Sequence, residues 1–235
     1  MTDKTIYLYD DVIGRVEYVQ HVGSDKMCVN AARVSFGAEN DFPIDEKDEK
    51  LISYLIKHRH TSPFEHSLIT FKFTVPLFIR SQHHRHRVWN FNEISRRYTS
   101  ENIKFYEPLQ FRTQHKSNRQ ASNTSDLINP IWDAKERTML STRIEHHHEE
   151  CLCLYNDMME AGVCREQARG VLPQNMYTSY YGSVDMHNLL KFVSLRTHEG
   201  AQWEIVKVAE ACLKIAEGLF PVTVKAWREN VKEKG

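Results

Sequence analysis

Residues 85–98 read RHRVWNFNEISRRY, and with Arg80, His83 and His84 just upstream they set five arginines and three histidines against one acid, Glu93, within nineteen residues. A guanidinium keeps its proton in a protein, so each arginine of a folded segment needs water, a carboxylate or a bound anion to answer it. One glutamate cannot answer five arginines. The whole chain balances 31 Lys and Arg against 31 Asp and Glu, so the excess is local, and a local excess of planar, forked donors suits phosphate or another anionic ligand. A solvated basic face is the plainer reading. Val88, Trp89, Phe91, Ile94 and Tyr98, interleaved with the cations, weigh against it, because a face turned wholly to water would not carry them.

Composition bounds the class. At 235 residues, 41% hydrophobic and 26% charged, the chain has the make-up of a soluble globular protein with room for a sizeable core. Net charge of zero argues against general nucleic-acid or membrane-surface binding, since both draw on broad positive charge. The basic stretch is a site and not a coat. Cys28, Cys151, Cys153, Cys164 and Cys212 are odd in number and show neither a CxxC pair nor framework spacing. With no signal peptide and no apolar run long enough to span a bilayer, they are expected as reduced thiols of a cytoplasmic protein. No repeat or linker divides the sequence, so residues 1–235 are expected to form a single domain.

Outward from the stretch, residues 69–75 alternate Phe71, Phe73 and Val75 with Thr70, Lys72 and Thr74, which predicts a strand with one buried face. From Leu77 a helix is expected to run into the arginines, with Phe78, Gln82 and Arg85 on one side. Earlier, residues 14–22 predict a strand, and Ser24 or Asp25 caps a short helix ending near Phe36. Residues 45–58 form a second helix with Leu51, Ile52, Leu55 and Ile56 as its buried stripe. Ser62 before Pro63 has the form of an N-cap with a first-turn proline, leaving backbone N–H groups free.

Downstream, residues 114–126 contain no large apolar side chain and are expected as an exposed, mobile segment or lid. Asn129-Pro130 opens a long helix expected through Ala161, its stripe of Leu140, Ile144, Cys151, Tyr155 and Met158 continuous if His147 or His148 fills the gap. Residues 165–173 make a short helical turn with Arg165 and Arg169 four apart. A strand over 176–181 follows, then a helix capped by Ser183 or Asp185 in which Leu189, Phe192, Val193 and Arg196 share a face. An arginine on that apolar face is costly without a partner. A helix over 202–217 and a last piece after Pro221, anchored by Trp227, complete the chain.

The triplet at Arg85, His86 and Arg87, with Asn92, Glu93, Ser95 and Arg97, resembles the signature RHRxxSxNExSxR of the flavin-dependent thymidylate synthases. Asn90 stands where that signature has its first serine, so no role of that hydroxyl carries over. The run KHRHTSPFEH at 57–66 resembles the family's first flavin-contacting segment. Over most of its length the chain is similar to this family, which implies an α+β fold: an antiparallel sheet flanked by helices, one of them long, in a single compact unit. The implied reaction converts dUMP to dTMP, with methylenetetrahydrofolate as one-carbon donor and FAD, reduced by NADPH, as hydride donor. No protein nucleophile is needed, and no cysteine here lies in a Pro-Cys-His context. The chain also lacks a GxGxxG turn, so the flavin would be held by side chains and helix ends.

By the resemblance, Ser62, Arg85, His86, Arg87 and Glu93 hold FAD, with Asp185, Met186, His187 and Lys191 as further contacts. Gln82, His83, His84, Arg85, Glu93, Ile94, Ser95, Arg96, Arg97 and Arg169 hold dUMP, with Ser95 and Arg97 at its phosphate. Arg196, in SLRTHEGAQWE, is implied to favour ionisation of uracil N3 and so raise electron density at C5 without a covalent adduct. A homotetramer with flavin sites between subunits is implied as well.

Three other readings stand beside this one. The clusters at His83, His84 and His86 and at His146, His147 and His148 invite a metal, but adjacent histidines on a helix point apart and no cysteine or carboxylate has ligand spacing. Arg196 alone would be satisfied by a salt bridge to Glu199 or Glu204. An RNA-binding module using the arginines for phosphate and the aromatics for stacking is the alternative of a different class, although nucleic acid is not the expected partner.

Overall fold

In β3 (Leu68–Pro76) the alternating Phe71, Phe73 and Val75 are fully buried. The computed structural model, which describes residues 4–232, pairs this strand along its whole length with β9 (Tyr177–Asp185), antiparallel from Leu68 opposite Asp185 to Pro76 opposite Tyr177. On the other face of the pair, Thr70 meets Ser183 at 2.8 Å and Thr74 meets Ser179 at 3.1 Å. β1 (Thr5–Tyr7) and β2 (Arg15–Val22) extend the sheet on the β3 side and β4 (Asn90–Glu93) closes it beyond β9, giving the order β1-β2-β3-β9-β4. All its neighbours are antiparallel.

Helices cover this sheet. They are α1 (Asp25–Arg33), α2 (Glu46–Lys57), α3 (Leu77–His83), α6 (Met186–Arg196), α7 (Trp203–Leu219) and α8 (Pro221–Lys232). The stripe of α6 enters the core as Met186, Leu189, Phe192 and Val193, and that of α7 as Ile205, Val208, Cys212 and Ile215. Helix starts are built by local chemistry. Asp45 accepts from Asp48 N at 2.8 Å to cap α2, and Asp185 accepts from Asn188 N at 2.8 Å to cap α6. For α8 the capping carboxylate comes from α1: buried Asp25 accepts Val222 N at 3.0 Å, Thr223 N at 2.9 Å and Thr223 Oγ1 at 2.6 Å. Gly182 is required where β9 passes beneath aromatic rings, since a methyl there would lie 2.8 Å from Phe73 and 3.2 Å from Trp89.

Several expected boundaries are corrected. The long helix, α4, spans Leu140–Glu160 and does not begin at Asn129. Ile131 and Trp132 favour extended backbone, and Asp133 turns the chain by accepting from Lys135 N at 2.8 Å and Glu136 N at 3.2 Å. The result is a hairpin of β7 (Ile131–Asp133) and β8 (Thr138–Met139). In α4 the gap in the stripe is filled by buried His148, whose Nδ1 lies 2.7 Å from Glu107, while His146 and His147 are exposed. Part of the segment expected to be irregular is paired, since β5 (Phe111–Gln114) and β6 (Ser122–Ile128) form an exposed two-stranded ribbon. Its polar side chains bond one another across the ribbon, as in Thr113 to Asp126 at 2.7 Å. The predicted strand at 176–181 runs on to Asp185, because β3 offers a partner for every residue.

A smaller apolar cluster forms away from the main core, where Tyr155 of α4 packs with Ala168 of α5 (Arg165–Ala168), Leu172 and Met176. Among the described residues, no helix is long and apolar enough to cross a membrane.

Candidate active site

The arginine stretch begins where α3 ends. Ile79 and His83, four apart, lie on the buried side of α3, so the helix drives His83 into the core, where it is 0% exposed. Its Nδ1 lies 2.8 Å from the Tyr180 hydroxyl, and its ring stands edge-on to Trp89 at 4.5 Å and to Phe73 at 4.8 Å. Burial, then the neighbouring His86, His84 and Arg196, hold the His83 pKa well below the usual histidine range. His83, expected at the nucleotide, is therefore a neutral residue of the core. After His83 the chain leaves the helix, with Arg85 N donating to Gln82 O at 3.3 Å and His86 N to His83 O at 3.0 Å. Arg85 does not share a helical face with Gln82, as expected from the sequence, but projects with Arg87 from an exposed turn.

The stretch then enters the sheet. Trp89 is buried and Asn90 to Glu93 form β4 against β9, so the departure at Asn90 lies in an edge strand and not in a loop. Glu93 accepts from Thr178 Oγ1 at 2.7 Å and pairs with Arg80 Nε at 3.1 Å. One arginine of the five thus takes the one acid. Beyond β4, Ser95 Oγ accepts from Arg97 N at 3.3 Å in a turn that exposes Ile94, Arg97 and Tyr98. Arg96 turns inward and gives Nη1 to Glu101 O at 2.6 Å, leaving its buried Nε without a partner. Burial lowers its pKa, and its inward direction removes it from the solvent-facing set. His84 stacks on Phe91 at 4.1 Å.

Arg196 comes to the same place from the end of α6. Its Nε donates to His86 Nε2 at 3.0 Å and its Nη2 to Gln82 O at 3.2 Å. The expected alternative, a salt bridge to Glu199 or Glu204, is not formed. Glu204 pairs with Arg112 at 2.7 Å, and no carboxylate among the described residues pairs with Arg196. Because a guanidinium only donates, His86 Nε2 must offer a lone pair, which places the ring proton on Nδ1 and leaves the imidazole neutral. Burial, Arg196 and Lys191 together push the His86 pKa down to about 4. A cation held by two neutral acceptors keeps most of its donors and all of its charge for a ligand.

Lys191, one turn and a half before Arg196, reaches a cleft of about 530 Å³. Its walls are apolar, from Leu55, Phe64, Leu190 and Trp227, and its rim carries Lys57, Arg59 and His187. None of Lys57, Arg59 and Lys191 pairs with an acid among the described residues. Arg59 occupies the left-handed region, at φ 58°, where α2 ends, with Arg59 N on Ile56 O at 3.1 Å and His60 N on Leu55 O at 2.9 Å. This is the position a glycine usually takes, so the arginine side chain is kept there against backbone strain. Ser62 does not cap a helix. It opens a short 3-10 turn, Ser62–His66, that follows Thr61 of the cleft wall. Met186, expected beside the cofactor, is buried in the core, whereas Asp185 spends its carboxylate on the cap of α6.

A second, open cleft of about 460 Å³ is lined by Arg97, Tyr98, Cys164 and Arg165, with Glu166 loosely paired to Arg97 at 3.5 Å. Arg169 is exposed on the turn just beyond. Among the described residues, no three His, Cys, Asp or Glu side chains come together to hold a metal. Sequence reasoning missed Lys57, Arg59, Trp227 and the Gln202–Glu204 pair. The cations were visible in KHRHTSPFEH, but nothing local signals that α8 closes the same cleft.

Residues 17–222 match the Thy1 family, described as thymidylate synthase complementing protein. Flavin-dependent thymidylate synthase of Thermus thermophilus is 42% identical over 222 residues, 94% of this chain and 77% of that protein. The protein of the same name from Thermotoga neapolitana is 40% identical over 215 residues, covering 91% of this chain and 90% of the relative. Among solved structures, the UMP/dUMP methylase PolB of Streptomyces cacaoi, bound with 5-Br dUMP, superposes with a TM-score of 0.80 at 33% identity, over 95% of this chain and 97% of that one. On the sequence match and the shared α+β fold, the chain belongs to the Thy1 family of flavin-dependent thymidylate synthases.

Proposed function

We propose that this protein is a flavin-dependent thymidylate synthase that places a methyl group on C5 of dUMP, with methylenetetrahydrofolate as carbon source and NADPH as reductant. The observation that carries the reading is Arg196, a partly buried cation with no acid paired to it among the described residues, held by His86 and Gln82 at the end of the helix that also lines the cationic cleft. Its free donors suit the carbonyl oxygens and the ionised N3 of a uracil, a charge distribution that makes C5 nucleophilic. Cys28 and Cys212 are buried thiols with raised pKa values, and hydride delivery by a reduced flavin needs no protein nucleophile on the ring.

The cleft fits a flavin by its chemistry. Apolar walls suit an aromatic ring system, and Lys57, Arg59 and Lys191, which pair with no acid among the described residues, suit a diphosphate. When bound, FAD would supply the hydride that completes the methyl group. His187 and Lys191 would hold it on the α6 side, Ser62 would lie near the opposite wall, and Arg85, His86 and Arg87 would face it from the turn after α3. Arg97 and Arg169, with the Ser95 turn, would take the nucleotide phosphate, Arg97 exchanging its loose contact with Glu166 for that anion.

A homotetramer sharing these sites between subunits is part of the proposal. α4 buries only His148 and Tyr155 of its 21 residues, and Ile131 and Trp132 stand exposed beside it, surface that a second copy would cover. We take residues 1–235 as one functional unit working in the cytoplasm.

The test is optical and chemical. Purified protein should be yellow, bleach anaerobically with NADPH, and yield dTMP from dUMP and methylenetetrahydrofolate. Colourless protein that shifts an RNA probe would overturn the reading in favour of an RNA-binding module. Because the Streptomyces cacaoi protein is named a methylase of UMP as well as dUMP, UMP belongs in the same assay as a second substrate.

A further inference from the structure

Glu204 is a glutamate only 3% exposed at the start of α7, and its surroundings give it a definite set of partners. Oε1 accepts from Arg112 Nη2 at 2.7 Å and from the Tyr106 hydroxyl at 3.2 Å, while Oε2 accepts from Gln202 Nε2 at 3.0 Å. Gln202 in turn receives, on its Oε1, the side-chain Nε2 of Gln82. A line of hydrogen bonds thus runs from Arg112 on the β5–β6 ribbon through Glu204 and Gln202 to Gln82. That residue's backbone oxygen already holds Arg196.

The direction of this line is fixed chemically. The two ends of a glutamine carboxamide are nearly alike in shape, and which end is the donor follows from its neighbours. Glu204, paired with Arg112, only accepts, so Gln202 must turn its NH₂ toward it and its oxygen away. Gln82 must then spend its NH₂ on Gln202. The relay fixes the end of the Gln82 carboxamide that turns away from Gln202 as the carbonyl oxygen, an acceptor, with the second N–H of the same amide on the Gln202 side.

We infer that Glu204 and Gln202 are positioning residues that lock the Gln82 carboxamide with its oxygen toward the nucleotide, so that this position reads a hydrogen-bond donor, the 3′-hydroxyl of the deoxyribose. The inference rests on the dUMP reading above. With uracil N3 facing Arg196 and the phosphate ionised, the 3′-hydroxyl is the donor that dUMP has left. Without the relay the Gln82 amide is free to present either end, and discrimination by that group weakens.

The experiment is a cycle between a change in the protein and a change in the ligand, read by calorimetric titration of the flavin-loaded protein with dUMP and with 2′,3′-dideoxyuridine 5′-monophosphate. Wild-type protein should prefer dUMP by about tenfold, the order expected for one buried acceptor left unpaired. In Gln202→Met, which leaves the Glu204–Arg112 pair intact, that preference should shrink to about twofold. A purely structural role would weaken both nucleotides alike and keep the ratio. If Gln202→Met does not fold, Glu204→Gln serves, because its amide lets Gln202 settle in either orientation, and the ratio should fall there too. A wild-type ratio near one, or an unchanged ratio in the folded variant, overturns the inference while leaving dUMP as substrate. Wild-type protein that binds neither nucleotide overturns the dUMP reading together with it.

Discussion

Replacing Arg196 by methionine should remove activity and leave stability nearly untouched. The change deletes two hydrogen bonds from a charged donor, to His86 Nε2 and Gln82 O, each contributing roughly 1.5 kcal/mol at most in a partly solvated site. Against this loss stands the relief of a desolvated cation whose pKa is lowered by burial and which has no acid paired to it among the described residues. Replacing such a charge by an apolar side chain of similar length is commonly neutral or stabilising. The two terms offset, so the net change should stay within about 1 kcal/mol, or roughly 3 °C in Tm for a chain of this size. Catalysis has no such compensation. Removing one donor aimed at developing negative charge typically costs a factor of about 10² to 10³, and Arg196 brings several. An anaerobic single turnover of pre-reduced protein with dUMP and methylenetetrahydrofolate, followed by dTMP formation, reads that loss, and differential scanning calorimetry reads the other. Methylation within tenfold of wild type would remove Arg196 from the chemistry, and a Tm lowered by about 8 °C or more would make it a structural strut.

His86, held at about pKa 4 in the folded protein, is neutral in the native state, so the unfolded chain binds the extra proton between that value and roughly 6.5. Its contribution to stability is complete above about pH 6.5 and is lost as pH falls toward 4, and the His86 ring should keep the NMR signature of a neutral imidazole protonated on Nδ1 down to about pH 5. A midpoint near pH 6.5 in the NMR titration of that ring would contradict the assigned tautomer. Gly182→Ala should destabilise by about 2 kcal/mol in urea unfolding through overpacking, since its methyl meets Phe73, Trp89 and Phe91; an unchanged midpoint would refute the packing described. Asp25→Ala removes the acceptor for three donors at the start of α8 and should cost roughly 3 kcal/mol. Equal stability of this variant would show that α8 docks by its apolar face alone.

What the sequence made legible was the part governed by local periodicity. Phe71, Phe73 and Val75 declared β3, and the spacing of Leu189, Phe192 and Val193 declared α6 with Arg196 at its end. Strand β4 was not legible, because four residues gain their regularity from β9, some ninety positions away. Asn129-Pro130 misled for the opposite reason: it has the local form of a helix start, and the hairpin after it wins through Asp133 and the extended preference of Ile131 and Trp132. His83 carried a signal that its basic surroundings masked. Lying four residues after Ile79 on a helix that buries that side, it belongs with the apolar stripe. The pair Gln202 and Glu204 could not be linked to Gln82 by any spacing, since only the fold brings residues 120 positions apart into contact.

Methylation of dUMP by the reduced flavoprotein is tested most directly by product analysis of one anaerobic turnover, in which stoichiometrically reduced holoprotein is mixed with dUMP and methylenetetrahydrofolate and the nucleotide is recovered and weighed by mass spectrometry. dTMP is expected in an amount matching the flavin reoxidised. Recovery of unaltered dUMP from protein whose flavin was bound and reduced would contradict it.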